Sequence, residues 1–330
     1  MRKLSPSSKR DSGAALLLAL WALFLLAGVV FAWALNINSR LTVSATANRV
    51  LEAEAMASSG ADVALTREIS RSSPNLHRKM GERQRYDVEM SGECGRLDLN
   101  WITLNEDLRK VGILRQYLTL KGVEMSDIDV MMDSLLDWVS PNKGLRHLNA
   151  PEESDNYRPP HAPLNSLDEL KKVFGWAEFT SKPGWDQDFT VLPITVLGQY
   201  RIDLAWASRD VLRALLAAFG AVADDRVDAF LQLRRGPDGV DGTEDDTQFT
   251  DLNDALTRGL GLNSQQIPQI QNLVGLNLPI IRIVSVGKSS DATRSVQMVV
   301  QKQVMPVGVP AGVGAAIAVG PPTVVSWKEL

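Results

Sequence analysis

Cysteine is nearly absent: Cys94 stands alone, so no intramolecular disulfide can brace the fold. Stability has to come from packing, with a bound metal as the other recourse. In "SGECGRL" that cysteine reads as a small residue in a turn or strand rather than a reactive thiol. Histidine is scarce as well. His77, His147 and His161 form no HExxH motif and no close pair, and they read as surface residues. Nucleophile-elbow, glycine-rich dinucleotide and zinc-finger patterns are missing, so an enzyme has no visible chemistry here. "VGKSS" at Val286 lacks the earlier glycine of a phosphate loop, since Arg282 stands in its place, and it reads as a hairpin turn. An excess of positive charge is also lacking. The net charge of −4 gives no electrostatic reason to bind nucleic acid.

Charge is missing altogether from residues 14–35, inside "RDSGAALLLALWALFLLAGVVFAWALN". Such a run makes a helix roughly 33 Å long at ~1.5 Å per residue, enough to cross a hydrocarbon core of about 30 Å. The apolar region of a secretory signal is shorter, about 7–15 residues. Ala32, Trp33 and Ala34 nevertheless fit the small-x-small pattern of signal peptidase, and cleavage after Ala34 would release a soluble periplasmic protein. The length and the helical continuation favour a retained span. Arg2, Lys3, Lys9 and Arg10 precede the run against Asp11 alone, which keeps the short N-terminus cytoplasmic and exports everything after Leu35.

The 330 residues, 45% of them apolar, allow two or three modest domains with real cores. Residues 36–70 continue the helix in amphipathic form, with Val43, Ala47, Leu51 and Ala55 on one line and Ala57, Ala61, Leu65 and Ile69 on the next. "SSPNL" at Ser72 breaks it. "RQRYDVEMSG" and "RLDLNWI" then alternate like strands, giving residues 71–100 to a sheet. Thr103 and Glu106 propose a capping box before "NEDLRKVGILRQYLTL", and Ser166 and Glu169 another before "LDELKKVFGW". "MSDIDVMMDSLLDWV" is a further helix, and a Pro-rich loop follows it. "SRDVLRALLAAFG" and "ADDRVDAFLQLRRG" form a helix pair around Gly220. Two helical units are expected over residues 101–199 and 200–265. Residues 266–330 return to strands: "LPIIRIVSVG" and "SVQMVVQKQV" as a hairpin, then "TVVSWKEL". The expected class is α+β, with a sheet packed on the long helix and an all-helical insert extruded from it.

One loop has a ligand-like composition. In "GPDGVDGTEDDTQF", Asp238, Asp241, Glu244, Asp245 and Asp246 lie close together with glycines between them. Calcium takes about six to eight oxygens, which such a loop can offer, although the EF-hand spacing is absent. A solvated Asp/Gly turn is the plain alternative.

"KRDSG" followed by "AALLLALWALFLLAGVV" resembles a class III prepilin leader, cut by prepilin peptidase between Gly13 and Ala14 so that the apolar helix is kept. "GRLDLN", "LLDWVSPNKG", "PLNSLDELKKVFGW", "IDLAWASRDVLRALL" and "RVDAFLQLRRG" resemble, in order and spacing, the GspK family of type II secretion minor pseudopilins. The resemblance implies a pilin-like fold with two SAM-like, helix-hairpin-helix-like units. It further implies a place at the tip of a periplasmic pseudopilus with the minor pseudopilins I and J, and an inner-membrane anchor held in lipid before assembly. Ala47, Leu51, Ala55 and Leu65 are then the expected contacts to partner helices. Major pilins carry a glutamate at the fifth mature position; Leu18 stands here, as suits a subunit with nothing above it. Calcium binding in relatives makes the acidic loop a candidate metal site. The chain lacks the paired cysteines of some relatives and has Val139, Ser140, Pro141 and Asn142 after "DW" instead of acidic residues. Helix-hairpin-helix units elsewhere hold nucleic acid, which leaves DNA uptake as the rival role. The turns "KGVEM" and "GAVADDR", with Asp224 and Asp225, speak against it.

Overall fold

Residues Asp11–Leu65 form a single helix of 55 residues, α1. Leu and Ala dominate its first half and few β-branched residues interrupt it, so local preference and the hydrophobic run agree. The computed structural model describes residues 11–66, 69, 71–142, 147–220, 224–241, 243, 245–247, 249–302 and 322–330, and the side chains of residues 11 and 12 lie outside that set. After α1, Ser73 caps a 3-10 turn (Pro74–Leu76) by accepting from the Asn75 N–H. Strands β1 (His77–Met80) and β2 (Gln84–Gly92) follow.

The chain then leaves the sheet for an insert. In order it contains β3 (Leu97–Asp98), α2 (Leu99–Thr103), α3 (Leu108–Leu120), α4 (Met125–Val139), α5 (Ala177–Ser181), β4 (Phe189–Thr190) and α6 (Ile194–Leu197). It continues with β5 (Ile202–Asp203), α7 (Arg209–Ala218), α8 (Asp224–Arg234), α9 (Leu252–Asp254), α10 (Ile267–Ile270) and β6 (Val274–Gly275). The return is by β7 (Ile280–Ser289), β8 (Ala292–Gln301) and β9 (Thr323–Glu329). The main sheet runs β1-β2-β7-β8-β9, antiparallel throughout. Ser290, at φ 55°, and Asp291 make the tight β7–β8 turn.

One face of the sheet lies on α1. Tyr86, Val88, Met90, Ile283, Met298 and Val300 form a core there with Ala61, Ala64 and Leu76. Val296, Met298 and Val300 share that buried side, as their alternation predicts. The opposite face contributes Ile280 and Val299 to a larger core that runs through the insert.

The insert is built twice on one plan. Arg96-Leu97-Asp98-Leu99-Asn100-Trp101 recurs as Arg201-Ile202-Asp203-Leu204-Ala205-Trp206. Each copy starts with a short strand that pairs in parallel with a strand closing its unit, β3 with β4 and β5 with β6. A helix hairpin lies between them, and α3 of one unit packs against α7 of the other.

Several local readings change. In "RLDLNWI" only Leu97–Asp98 is strand, and it belongs to the insert; Asp98 then caps α2 through the Trp101 N–H and stops the extended run. Thr103 and Glu106 form no capping box. Thr103 bonds back to the Leu99 and Asn100 carbonyls, and Asp107 is the cap of α3. Ser166 makes no capping bond either, and the Glu169 carboxylate accepts from the Asn165 N–H at the head of a 3-10 helix (Leu167–Lys172). The second unit runs beyond residue 265 to Gly275, because β6 closes it. His161 is no surface residue: its side chain is 5% exposed. The Gly/Pro-rich stretch at 303–321 lies outside the described residues.

Candidate functional site

Two surfaces of α1 behave differently. Residues 13–48 are exposed on every side, and the helix is long and apolar enough there to cross a membrane. Further on, Ala53, Ala57, Ala61 and Ala64 have no exposed surface and lie on the sheet. Small side chains let the backbones approach. A Cβ added at Gly60 would meet the Ser285 hydroxyl at 2.4 Å, and one at Gly287 would meet the Ala53 carbonyl oxygen at 2.0 Å. Polar contacts fix the register at the sheet's end: the Ser289 hydroxyl donates to Glu52 (2.6 Å), and Arg49 pairs with Asp291 (3.0 Å). Hydrogen bonds from Ser289 and then Gln84 hold the Glu52 carboxyl below its usual range.

The residues expected to touch partners divide. Ala47, Leu51 (62% exposed) and Ala55 stand free on the side away from the sheet, continuing the line of Val43. Leu65 is half-buried against the chain's own Tyr86 and Leu76 cluster. An exposed apolar line next to a lipid-length rod suits burial against lipid or another helix. Gly13 and Ala14 lie on α1 with open space around Gly13.

Where the insert leaves the sheet, Glu93 is wholly buried. Arg282 of β7 grips it with two bonds (2.6 and 2.7 Å), the Thr190 hydroxyl donates to it, and Arg96 lies 3.4 Å away. Beside it, Trp206 of the second unit is seated on Gly92 and Gly95, where any Cβ would strike it, and Arg71 lies over its ring at 4.2 Å. Cys94, between these two glycines, is buried, and desolvation pushes its thiol well above the usual range. It is an inert packing residue.

The repeated aspartates tie each unit shut. Asp98 accepts from the Trp101 and Leu192 N–H groups, both at 2.6 Å. Asp203 accepts from Ala205 (3.0 Å), Asn277 (3.1 Å) and Leu278 (2.7 Å). Leu192 and Asn277 each stand two residues beyond the closing strand, so the two clasps are equivalent. Burial pushes Asp98 up to about 8, opposed by the Trp101 and Leu192 bonds, and it raises Asp203 as well. An unfolded Asp titrates near 3.9, so between that value and about 8 the folded chain holds a proton that the unfolded chain has lost. That contribution to stability is full below about 3.9 and is lost as pH rises towards about 8. Urea midpoints are therefore expected to fall from pH 5 to pH 8, and Asp98→Asn to flatten the slope. An unchanged slope in that variant assigns the effect elsewhere.

The acidic loop folds onto arginines. Asp241 is bound by Arg234 (3.1 and 3.2 Å) and Arg235 (3.0 Å), and Asp246 by Arg71 (2.7 Å). Asp245 accepts from the Thr243 hydroxyl (2.6 Å) and the Asp238 N–H (3.1 Å), which lower its pKa. Glu244 lies outside the described residues. Among the described residues no three acidic, His or Cys side chains gather as a metal-ligating group. On the hairpin of the second unit, Arg209 and Arg213 are held bidentately by Asp228 and Asp224 and are not free for phosphate.

Neither a protein-family model nor a curated protein matches the chain. Among solved structures it is similar to a chain of the GspK–GspI–GspJ complex from the type 2 secretion system of enterotoxigenic Escherichia coli. Identity is 14% and the TM-score 0.58, with 89% of this chain and 99% of that chain covered. A long N-terminal apolar helix, an antiparallel sheet and a large helical insert together fit the GspK-like fold.

Proposed function

We propose that this chain is a minor pseudopilin of a type II secretion system and acts by assembly rather than catalysis. Residues 14–35 hold it in the inner membrane, with the N-terminus cytoplasmic and the bulk periplasmic, until it enters the pseudopilus. There it stands at the tip with I- and J-type minor pseudopilins and supports export of folded proteins. One observation carries this reading: the same helix is bare and lipid-length at one end and clamped to a pilin-like sheet at the other. A rod of that kind docks into a fibre by its free end. Ala47, Leu51 and Ala55 would meet partner helices, and the insert would broaden the tip against further addition.

Prepilin peptidase is expected to cut after Gly13, so the mature native chain should begin at Ala14. A chain beginning at Leu35 is instead a secreted protein, and one beginning at Met1 is a plain anchor. Co-purification with I- and J-type partners tests the assembly separately.

Calcium remains a proposal for the acidic loop, and it requires Asp241 to leave Arg234 and Arg235. Binding at a hundred times Kd stabilises a fold by about 2.7 kcal/mol, a rise in Tm easily read. A Tm that ignores millimolar calcium removes the ion from this loop.

A further inference from the structure

Like charges directly opposite one another across a sheet repel at about 5 Å and weaken it. Here they stand in one row: Lys79 of β1 pairs with Arg85 of β2, and Arg85 pairs with Lys288 of β7. Tyr86 and Val88 point into the α1 core, so Arg85 and its two partners occupy the sheet's other face. Asp87 lies 3.6 Å from Arg85 but is shared with His77 at 3.4 Å. Among the described residues, Lys79 and Lys288 have no acidic partner. Arg78 and Arg294 flank the row on the next register line. The sheet therefore gathers cations at one end, in a chain whose net charge is −4.

That end is the one nearest the apolar rod. The β1–β2 and β7–β8 turns meet there, with the Ser290 N–H donating to the Arg83 carbonyl at 2.9 Å. Ser289 bonds Glu52 and Asp291 bonds Arg49, whereas Gly60 lies farther along α1, on Ser285. From Leu35 to Arg49 the helix rises about 21 Å at ~1.5 Å per residue. Headgroups fill roughly 5–7 Å of that height. Long Lys and Arg stems span part of the rest, and an anionic surface still acts within about 8 Å at physiological salt. A tilt of α1 toward the sheet, within the usual range of about 0–40°, lowers the row further. Met80, at the same hairpin tip, is 45% exposed and adds an apolar side chain to this end.

Repulsion within such a row is relieved by anions brought against it. The surface that the span sets below this end of the sheet is a bilayer, whose anionic lipids present phosphates. We infer that the Lys79–Arg85–Lys288 row docks on anionic phospholipid headgroups while the chain is held in the membrane, an inference that rests on the retained span. Each cation near such a surface shifts the equilibrium roughly fivefold, so the row acts as a unit. The contact holds the sheet against the membrane and is given up when the rod leaves the lipid.

The test uses the full chain in nanodiscs of phosphatidylcholine, with or without an equal part of phosphatidylglycerol. Thr293→Cys, exposed and paired with Lys288, takes a fluorophore, while the buried Cys94 stays unlabelled. Quenching by a headgroup-nitroxide lipid is expected to rise about threefold or more with phosphatidylglycerol at low salt, and to fall back at about 0.5 M salt. Lys79→Gln with Arg85→Gln and Lys288→Gln is expected to abolish the rise. Amides of β2 and β7 should keep their protection in that variant, since it removes repulsion. Quenching that ignores lipid composition, or that the variant retains, overturns the inference. Lost protection in β2 and β7 does so too, because the row then has partners inside the protein. Retained quenching with lost co-purification of I- and J-type partners assigns the row to an acidic protein instead. A chain that stays outside the disc refutes the membrane span itself, and this docking with it.

Discussion

Gly287→Val is expected to pry α1 from the sheet. A Cβ at that position would sit 2.0 Å from the Ala53 carbonyl oxygen and 2.3 Å from the Ala57 nitrogen, both backbone atoms of α1. Neither can swing aside as a side chain would, since each belongs to the helical hydrogen-bond ladder. Overpacking a core usually costs about 1–3 kcal/mol, and a clash of backbone with a β-branched side chain lies at or beyond the upper end. Gly60 faces Ser285 on the same seam, so the strain has no slack to spread into. Hydrogen exchange in micelles is the measurement. Amides near Ala53, Ala57 and Ala61 should lose protection while those of the insert core, such as Leu114 and Leu212, keep it. Gly112→Ala is the control. Its Cβ meets nothing within 4 Å inside α3, and helix propensity predicts a gain of roughly 0.5–1 kcal/mol. If Gly287→Val costs no more than the control gains, α1 does not lie on the sheet in this register. The consequence for assembly is direct, because the clamp sets how Leu51 and Ala55 are presented.

Arg282→Met is the second large effect. Glu93 has no exposed surface, and Arg282 holds both its oxygens. Removing the arginine leaves a buried carboxylate with the Thr190 hydroxyl and with Arg96 at 3.4 Å. Breaking a buried pair from one side costs about 3–5 kcal/mol, since the remaining charge keeps its desolvation penalty. The double variant Glu93→Leu with Arg282→Met removes both charges and should recover much of that loss. Chemical denaturation of the single and double variants gives the coupling. A single variant within 1 kcal/mol of the parent would mean that water or another cation replaces Arg282. The pair joins β7 to the first residues of the insert, so its loss should also loosen the insert against the sheet, seen as faster exchange around Gly92 and Gly95.

Misreadings cluster at chain turns. Asn105 and Glu106 looked like the start of a capped helix, but their left-handed backbones turn the chain, and Asp107 takes over as cap. "RLDLNWI" alternates like a strand, yet Asp98 folds back on the Trp101 N–H after two strand residues. In both cases one side-chain hydrogen bond outweighs a periodic pattern, and periodicity does not report such a bond. The six-residue repeat at Arg96 and Arg201 was a legible signal of two equivalent units. Its meaning, an aspartate clasping the N–H groups beyond a closing strand, becomes visible only when Leu192 and Asn277 are brought beside it.

By itself the sequence determined the long rod, the strands β2, β7 and β8, the helix pairs and the absence of catalytic motifs, because each rests on local pattern or composition. Hydrophobic runs and their period act over one or two turns and need no distant partner. Tertiary structure decided what lies far apart in the chain: which alanines of α1 meet the sheet and which stay free, that Glu93 meets Arg282, and that the carboxylates at Asp241 and Asp246 go to arginines. Those pairings depend on which surfaces the packed elements bring within about 4 Å, a condition that no local pattern specifies.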